Sequence, residues 1–149
     1  LVGGKKEKKF LNPCVLSLMQ IQTKKRDHKI EKEYGGIKTQ VYVVKTELVP
    51  KVNDMSDPLG EVLIFGPVRR GIRKVVIYTN RDLNEGEIDL RIKWLVEYNR
   101  GAACVKCGYR YDGGRYIKVV ATRNGTLYHD VMCSKCDVRV ELLASIATG

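Results

Sequence analysis

A chain of 149 residues with 27 Lys and Arg against 17 Asp and Glu carries a formal charge of +10. That length suits one domain, or one domain with an appended arm, and the charge makes polyanions the natural partner class. At 44% hydrophobic the chain can bury a core, but no run of about 18 apolar residues exists, which excludes a membrane-spanning helix.

The charge is uneven. Residues 1–33 hold nine basic against four acidic side chains, residues 34–100 eleven against nine, and residues 101–149 seven against four. The Lys5–Lys9 and Lys24–Lys32 stretches therefore read as a flexible electrostatic arm over residues 1–33. Within it, Cys14 to Ile21 is apolar but short, and Ser17 and Gln20 interrupt it. It lacks a small-residue cleavage site and runs at once into Lys24, Lys25 and Arg26, so it reads as a strand and not a secretory signal. Cys14 is then a buried small hydrophobe. Residues 22–33 predict at most a marginal short helix, with only Ile30 on its apolar side. The chain opens on Leu1 and not on Met, which suggests a trimmed product.

Tyr34-Gly35-Gly36 marks the passage from the arm to a strand-rich body over residues 34–100. Val41 to Val44, Glu61 to Phe65 and Lys74 to Thr79 read as strands, with a Pro- and Asp-rich loop between Pro50 and Gly60. Asn80 to Gly86 reads as a turn. After it, Ile88, Leu90, Ile92 and Trp94 alternate with Asp89, Arg91 and Lys93, which predicts a half-buried strand. The expected fold is mostly β: a small antiparallel sheet or barrel, followed by a metal-bound ribbon over residues 101–149.

That last segment holds the chemistry. Cys104-Val105-Lys106-Cys107 and Cys133-Ser134-Lys135-Cys136 form two Cys-x-x-Cys knuckles. Each offers two thiolates from one tight turn, and a tetrahedral zinc ion needs four, at about 2.3 Å. Gly108 and Asp137 follow the knuckles, and both can adopt positive φ, Gly freely and Asp with some strain. Between them Tyr116 to Arg123 reads as a strand, Asn124-Gly125 as a hairpin turn and Thr126 to Met132 as the return. Asp112-Gly113-Gly114 turns the chain into that hairpin, and Val138 to Leu142 alternates as a third strand. Four thiolates close the shell, so one Zn²⁺ ion is structural, contributes roughly 10 kcal/mol or more to folding, and leaves His129 a polar or RNA-facing role. Paired cysteines used for metal imply a reducing, intracellular and cytoplasmic compartment.

Two basic clusters are candidate nucleic-acid contacts. Arg69, Arg70, Arg73 and Lys74 surround Gly71 at a turn between strands, where cations can reach a phosphate backbone. Arg115, Lys118 and Arg123 lie near Tyr109, Tyr111 and Tyr116, a mixture able to hold phosphates and stack bases. No phosphate-binding loop, dinucleotide fingerprint or nucleophile motif occurs, and Glu85 and Glu87 beside Gly86 read as solvated turn carboxylates. The expectation is a protein that is not an enzyme.

The first knuckle, the approach Tyr128-His129-Asp130-Val131-Met132 to the second, and Val138 to Leu142 resemble the zinc-binding segment of the small first-reading-frame proteins of sobemoviruses, over residues 102–143. Those plant-virus proteins suppress RNA silencing and assist movement. The resemblance implies a non-enzymatic protein in the host cell, acting on small RNA or silencing machinery, with the four cysteines as ligands. Alternative readings are a ribosomal or RNA-polymerase-associated zinc-ribbon subunit, or a protein–protein adaptor. The partners expected are RNA, host or ribonucleoprotein proteins and a second copy of the chain, with no membrane.

Overall fold

The computed structural model describes residues 28–45, 58–79, 81–98, 102–122 and 128–148. In chain order these form β1 (His28–Tyr34), β2 (Ile37–Lys45), β3 (Pro58–Arg69), β4 (Ile72–Thr79), α1 (Glu85–Tyr98), β5 (Ile117–Thr122), β6 (Tyr128–Cys133) and α2 (Arg139–Thr148). Strands hold twice as many residues as helices, so the protein is mostly β. All six strands lie in one sheet, in the order β1-β2-β4-β3-β5-β6. β1 and β6 are its two edges, so the sheet is open and not a barrel. β2 and β4 run parallel while every other pair is antiparallel, so the sheet is mixed, a correction to the antiparallel expectation.

Two hairpins are set by their turns. Tyr34 pairs with Ile37 and Arg69 with Ile72, leaving two-residue loops. Such loops twist with their strands when both central residues have positive φ. Gly35 and Gly36 stand at 57° and 81°, Arg70 and Gly71 at 56° and 75°. Tyr34-Gly35-Gly36 is therefore the turn of a hairpin and not a boundary between arm and body. Residues 28–33, expected in a marginal helix, are a strand of the sheet. The expected Cys14–Ile21 strand, Lys5–Lys9, most of the Pro50–Gly60 loop and Asn124-Gly125 lie outside the described residues.

The central strands are buried on both sides, which is why they read as unbroken apolar runs. Val41, Val43, Leu63, Phe65, Val75, Ile77, Ile117 and Val119 face α1 and the loop carrying Ala102 and Tyr111. Tyr42, Val44, Val62, Ile64, Val76, Tyr78 and Val120 face α2. Tyr78, fully buried, donates its hydroxyl to the Leu143 carbonyl, and burial raises its pKa.

Residues 85–98 form a helix, not the strand expected for Ile88 to Trp94. The reason is a reciprocal cap at its start. The Glu87 N–H donates to Asn84 Oδ1 at 2.8 Å, and the Asn84 N–H donates to Glu87 Oε1 at 3.0 Å, a capping box that satisfies two otherwise unpaired donors. The helix then buries Ile88, Ile92 and Leu95 at helical spacing, while Leu90 remains 47% exposed. Lys32 on β1 bridges Glu85 at 2.8 Å and Asp89 at 2.9 Å, and the Tyr34 hydroxyl donates to Asp89, which fastens the helix to the sheet edge.

Residues 139–148 are likewise helical, where Val138 to Leu142 had suggested a third ribbon strand. Val140, Leu143, Ala144 and Ala147 are buried, again at helical spacing, and Leu142 is turned outward. Among the described residues no helix is long and apolar enough to cross a membrane.

Arg91 on α1 and Glu61 on β3 form a buried bidentate ion pair, with Nε–Oε1 at 2.6 Å and Nη2–Oε2 at 2.9 Å. The third nitrogen, Nη1, donates to the Glu87 carbonyl at 3.0 Å. Breaking one side of such a pair strands a buried charge, whereas replacing both sides with apolar groups is close to neutral. Urea unfolding is accordingly expected to show a loss of about 3–5 kcal/mol for Arg91→Met alone, and recovery of most of it in Glu61→Leu/Arg91→Met. A double variant as weak as the single one would contradict this account.

Candidate metal centre

Each knuckle is shaped by backbone hydrogen bonds. In the first, the Gly108 N–H donates to the Cys104 carbonyl at 2.8 Å, and the Cys104 N–H to the Tyr109 carbonyl at 2.8 Å. Gly108 takes φ +79°, the left-handed value that favours glycine. In the second, the N–H groups of Cys136 and Asp137 donate to the Cys133 carbonyl at 3.1 and 3.0 Å. Asp137 does not take positive φ. It serves instead as the cap of α2, accepting the Arg139 N–H at Oδ1 and pairing with the Arg139 guanidinium at 2.8 Å. That pairing holds its carboxyl below the usual range.

The fold brings the knuckles together through two further bonds. The Val105 N–H donates to the Val131 carbonyl of β6 at 2.9 Å, and the Ser134 N–H to the carbonyl of Tyr116, the residue before β5, at 3.0 Å. All four sulfurs then lie within 4.8 Å of one another. A tetrahedron of metal–sulfur bonds near 2.3 Å has sulfur–sulfur edges of about 3.8 Å. Cys107 and Cys133 stand 3.7 Å apart, which fits that edge and is far too long for a disulfide. The four cysteines can hold one metal ion. Cys104 and Cys133 are buried, Cys136 is partly buried and Cys107 faces solvent, so the ion would sit at the rim of the core.

Arg115 completes the centre, a role with no linear signal because the Tyr109–Arg115 turn creates it. Its Nη1 donates to Cys133 Sγ at 3.4 Å and to Cys107 Sγ at 3.8 Å. Its guanidinium lies 4.4 Å from the centroid of the Tyr109 ring. The Tyr109 hydroxyl in turn donates to Asp112 Oδ1 and accepts the N–H groups of Asp112 and Arg115. The cation is thus built in against the thiolates.

The cysteine thiols differ accordingly. Burial opposes ionisation of Cys133, but the Cys136 N–H, the Arg115 guanidinium and the Lys135 N–H outweigh it and bring the thiol down to about 6. Burial also opposes ionisation of Cys104, and backbone N–H groups from both knuckles bring it down as well. Cys136 moves the other way, to about 12, because its proton is held by Cys107, with burial adding to the effect.

The seven cations expected to meet nucleic acid are divided by the fold. Arg69 and Arg70 are exposed at the β3–β4 turn, and Lys74 is exposed on the α2 side of β4. Lys118 is half-buried on β5, opposite Ile64 and on that same side. Arg73 points to the other side, is buried, and lies 5.6 Å from both the Phe65 and Tyr111 ring centroids, with its Nε unpartnered. It belongs to the core, because its neighbours on β4 alternate across the sheet. Arg115 is directed at the cysteines, and Arg123 lies outside the described residues. Of the tyrosines, Tyr111 is buried and donates to the Gly66 carbonyl at 2.7 Å. His129 is placed on β6 opposite Val120.

Protons compete with a metal for thiolates. Metal affinity should therefore fall steeply as pH drops below about 6, where even the most acidic thiol, Cys133, is protonated. At pH 7.5 Arg115→Met should weaken affinity about 10–100-fold in a competitive chelator titration, and Cys133→Ser should abolish stoichiometric binding. Unchanged affinity in Arg115→Met would contradict the charge-neutralising role of this side chain.

Comparison with known proteins places the whole sheet, and not the cysteines alone, in a family. A family model described as hypothetical protein ORF126-like matches residues 28–147. The crystal structure of the hypothetical protein ORF126 from Pyrobaculum spherical virus, an archaeal virus, is similar with a TM-score of 0.71 and 40% sequence identity. That match covers 80% of this chain and 93% of the other. A comparison with curated proteins finds no match. The resemblance to sobemovirus proteins is thereby corrected. It rested on paired cysteines and a similar approach to the second pair, a combination that zinc-binding segments reach independently, and Val138 to Leu142 leads here into the helix α2. The chain belongs to the ORF126-like family.

Proposed function

We propose that this viral-family protein is a non-enzymatic RNA-binding protein whose C-terminal half is held in shape by one structural zinc ion. Zinc is supported by the donor set. Four thiolates in a tetrahedral arrangement select zinc or iron over hard cations such as magnesium and calcium. A closed four-sulfur shell leaves no position for substrate or water, which is the arrangement of a structural site.

RNA binding is carried by one observation, the separation of charge. Five carboxylates of the described residues are paired within the molecule: Glu61 in a buried pair with Arg91, Glu85 and Asp89 with Lys32, Glu87 with Arg81, and Asp137 with Arg139. Arg69, Arg70 and Lys74 have no carboxylate partner among the described residues and gather at one end of the sheet. Unneutralised cations on a rigid hairpin suit a phosphate backbone, and the overall charge of +10 acts in the same direction.

Two measurements test the proposal. Elemental analysis of the purified protein should give one equivalent of zinc and a colourless solution, whereas stoichiometric iron with visible charge-transfer absorption would overturn the metal assignment. Gel-shift titration with single-stranded and duplex RNA over a salt series should give an affinity whose logarithm falls linearly with the logarithm of salt concentration. Absence of binding to both RNAs at low salt would overturn the RNA-binding reading.

A further inference from the structure

Among the described residues, the α2 side of the sheet is only partly covered. α2 packs on Tyr42, Val44, Val76 and Tyr78, toward the C-terminal ends of β2 and β4. At the opposite end of these strands lies a groove of about 250 Å³, lined by Gln40, Pro67, Arg69, Ile72, Lys74 and Tyr116. Its composition combines two cations, an aromatic ring, an apolar base and an amide.

The groove is shaped by a local backbone irregularity. Register between β3 and β4 shifts between Phe65 and Val68, so Gly66 and Pro67 form a bulge. A Cβ on Gly66 would meet Tyr116 Cε1 at 3.0 Å and Lys74 Cβ at 3.5 Å. The Tyr116 ring thus rests against bare backbone, beside the stem of Lys74, a position that a larger residue at 66 would deny it. Gln40 is held from the other wall, where its Nε2 donates to Glu31 Oε2 at 3.0 Å and its own carbonyl oxygen is left to accept. Arg69 and Lys74 have no carboxylate partner among the described residues.

We propose that this groove is the site at which a single nucleotide of single-stranded RNA is seated, its base against Tyr116, Pro67 and Ile72 and its flanking phosphates on Arg69 and Lys74. The inference rests on the RNA-binding reading above and assigns it a location. An aromatic platform beside cations recognises an unstacked base, since every base offers a π-face and every linkage a negative charge. A duplex keeps its bases stacked and can use only the cations. The Gln40 carbonyl oxygen is placed to accept from a base amino group.

Fluorescence anisotropy of the metal-loaded full chain tests this, with a labelled oligoribonucleotide of about ten nucleotides, within the range that small β folds cover, and a duplex of equal length. Arg69→Gln/Lys74→Gln should weaken single-strand binding at least about tenfold and reduce the log–log salt slope by about 1.4, the value for two phosphates on a single strand. Tyr116→Leu should weaken single-strand binding about tenfold and leave duplex binding nearly unchanged. Lys106→Gln/Arg110→Gln is the matched control: it removes two exposed cations that do not line the groove. Metal content and circular dichroism confirm that each variant is folded, and Gly66→Ala offers a second way to displace the Tyr116 ring. If the wild type binds but groove and control variants weaken it equally, the groove assignment is overturned and RNA binding stands. Equal losses for duplex and single strand in Tyr116→Leu would overturn the stacking role. If the wild type binds neither RNA at low salt, the RNA-binding reading itself has failed.

Discussion

Four thiolates cannot share a sphere less than 5 Å across unless positive charge stands among them, and much of the C-terminal half of this protein is arranged around that constraint. A divalent metal ion held there would supply two positive charges, which would leave an assembly of net charge −2. Arg115 supplies one more from outside, held against Cys133 and Cys107 by the Tyr109–Asp112 turn. The knuckles also carry mechanical consequences. One is bonded to β6, the other to the residue before β5, and the second leads through Asp137 straight into α2. The position of α2 on the sheet is therefore coupled to the integrity of the cysteine cluster.

The sheet imposes the second requirement. Its four central strands present apolar residues to both sides, so each side needs a cover. α1 and the loop leading to the first knuckle cover one, and α2 covers part of the other. Because α2 has only 10 residues it spans about 15 Å, shorter than the sheet it lies on. The uncovered end is where the strands change character. Ile72 and Tyr116 are half-buried there, and Gln40, Arg69 and Lys74 replace the valines and tyrosines further along. Among the described residues, a polar, cation-lined groove is thus left beside the apolar part of the sheet.

Charge is sorted by the same packing. Glu85 and Asp89 of α1 meet Lys32 of β1, Glu87 of α1 meets Arg81, and Arg91 of α1 meets the buried Glu61 of β3. Asp137 is committed to its own helix. What remains on the β3–β4 hairpin is positive. A sequence with modest excess charge over its middle third can in this way present a concentrated basic surface, because pairing inside the fold removes the opposing sign locally.

The sequence by itself determined the four-cysteine cluster, the strands of the core and the hairpin turn at Gly71. These depend on short-range signals: Cys-x-x-Cys spacing, unbroken apolar runs and a glycine between β-rich segments. It misled at Ile88 to Trp94 and at Val138 to Leu142, where alternating and helical spacings share several positions over five to seven residues. The deciding evidence there was the cap, Asn84 with Glu87 in one case and Asp137 in the other, and a cap is recognised as such only when the following segment packs as a helix. Tertiary structure alone decided that β5 and β6 extend the same sheet as β1 to β4, that Arg73 is buried, and that Arg115 faces the cysteines and not solvent. Each of these is set by strand pairing between residues far apart in the chain, and a linear pattern carries no information about which partner a strand or a cation will meet. The four-cysteine cluster was legible because two Cys-x-x-Cys pairs are a local signal; the surface around it was not, because nothing local demands it.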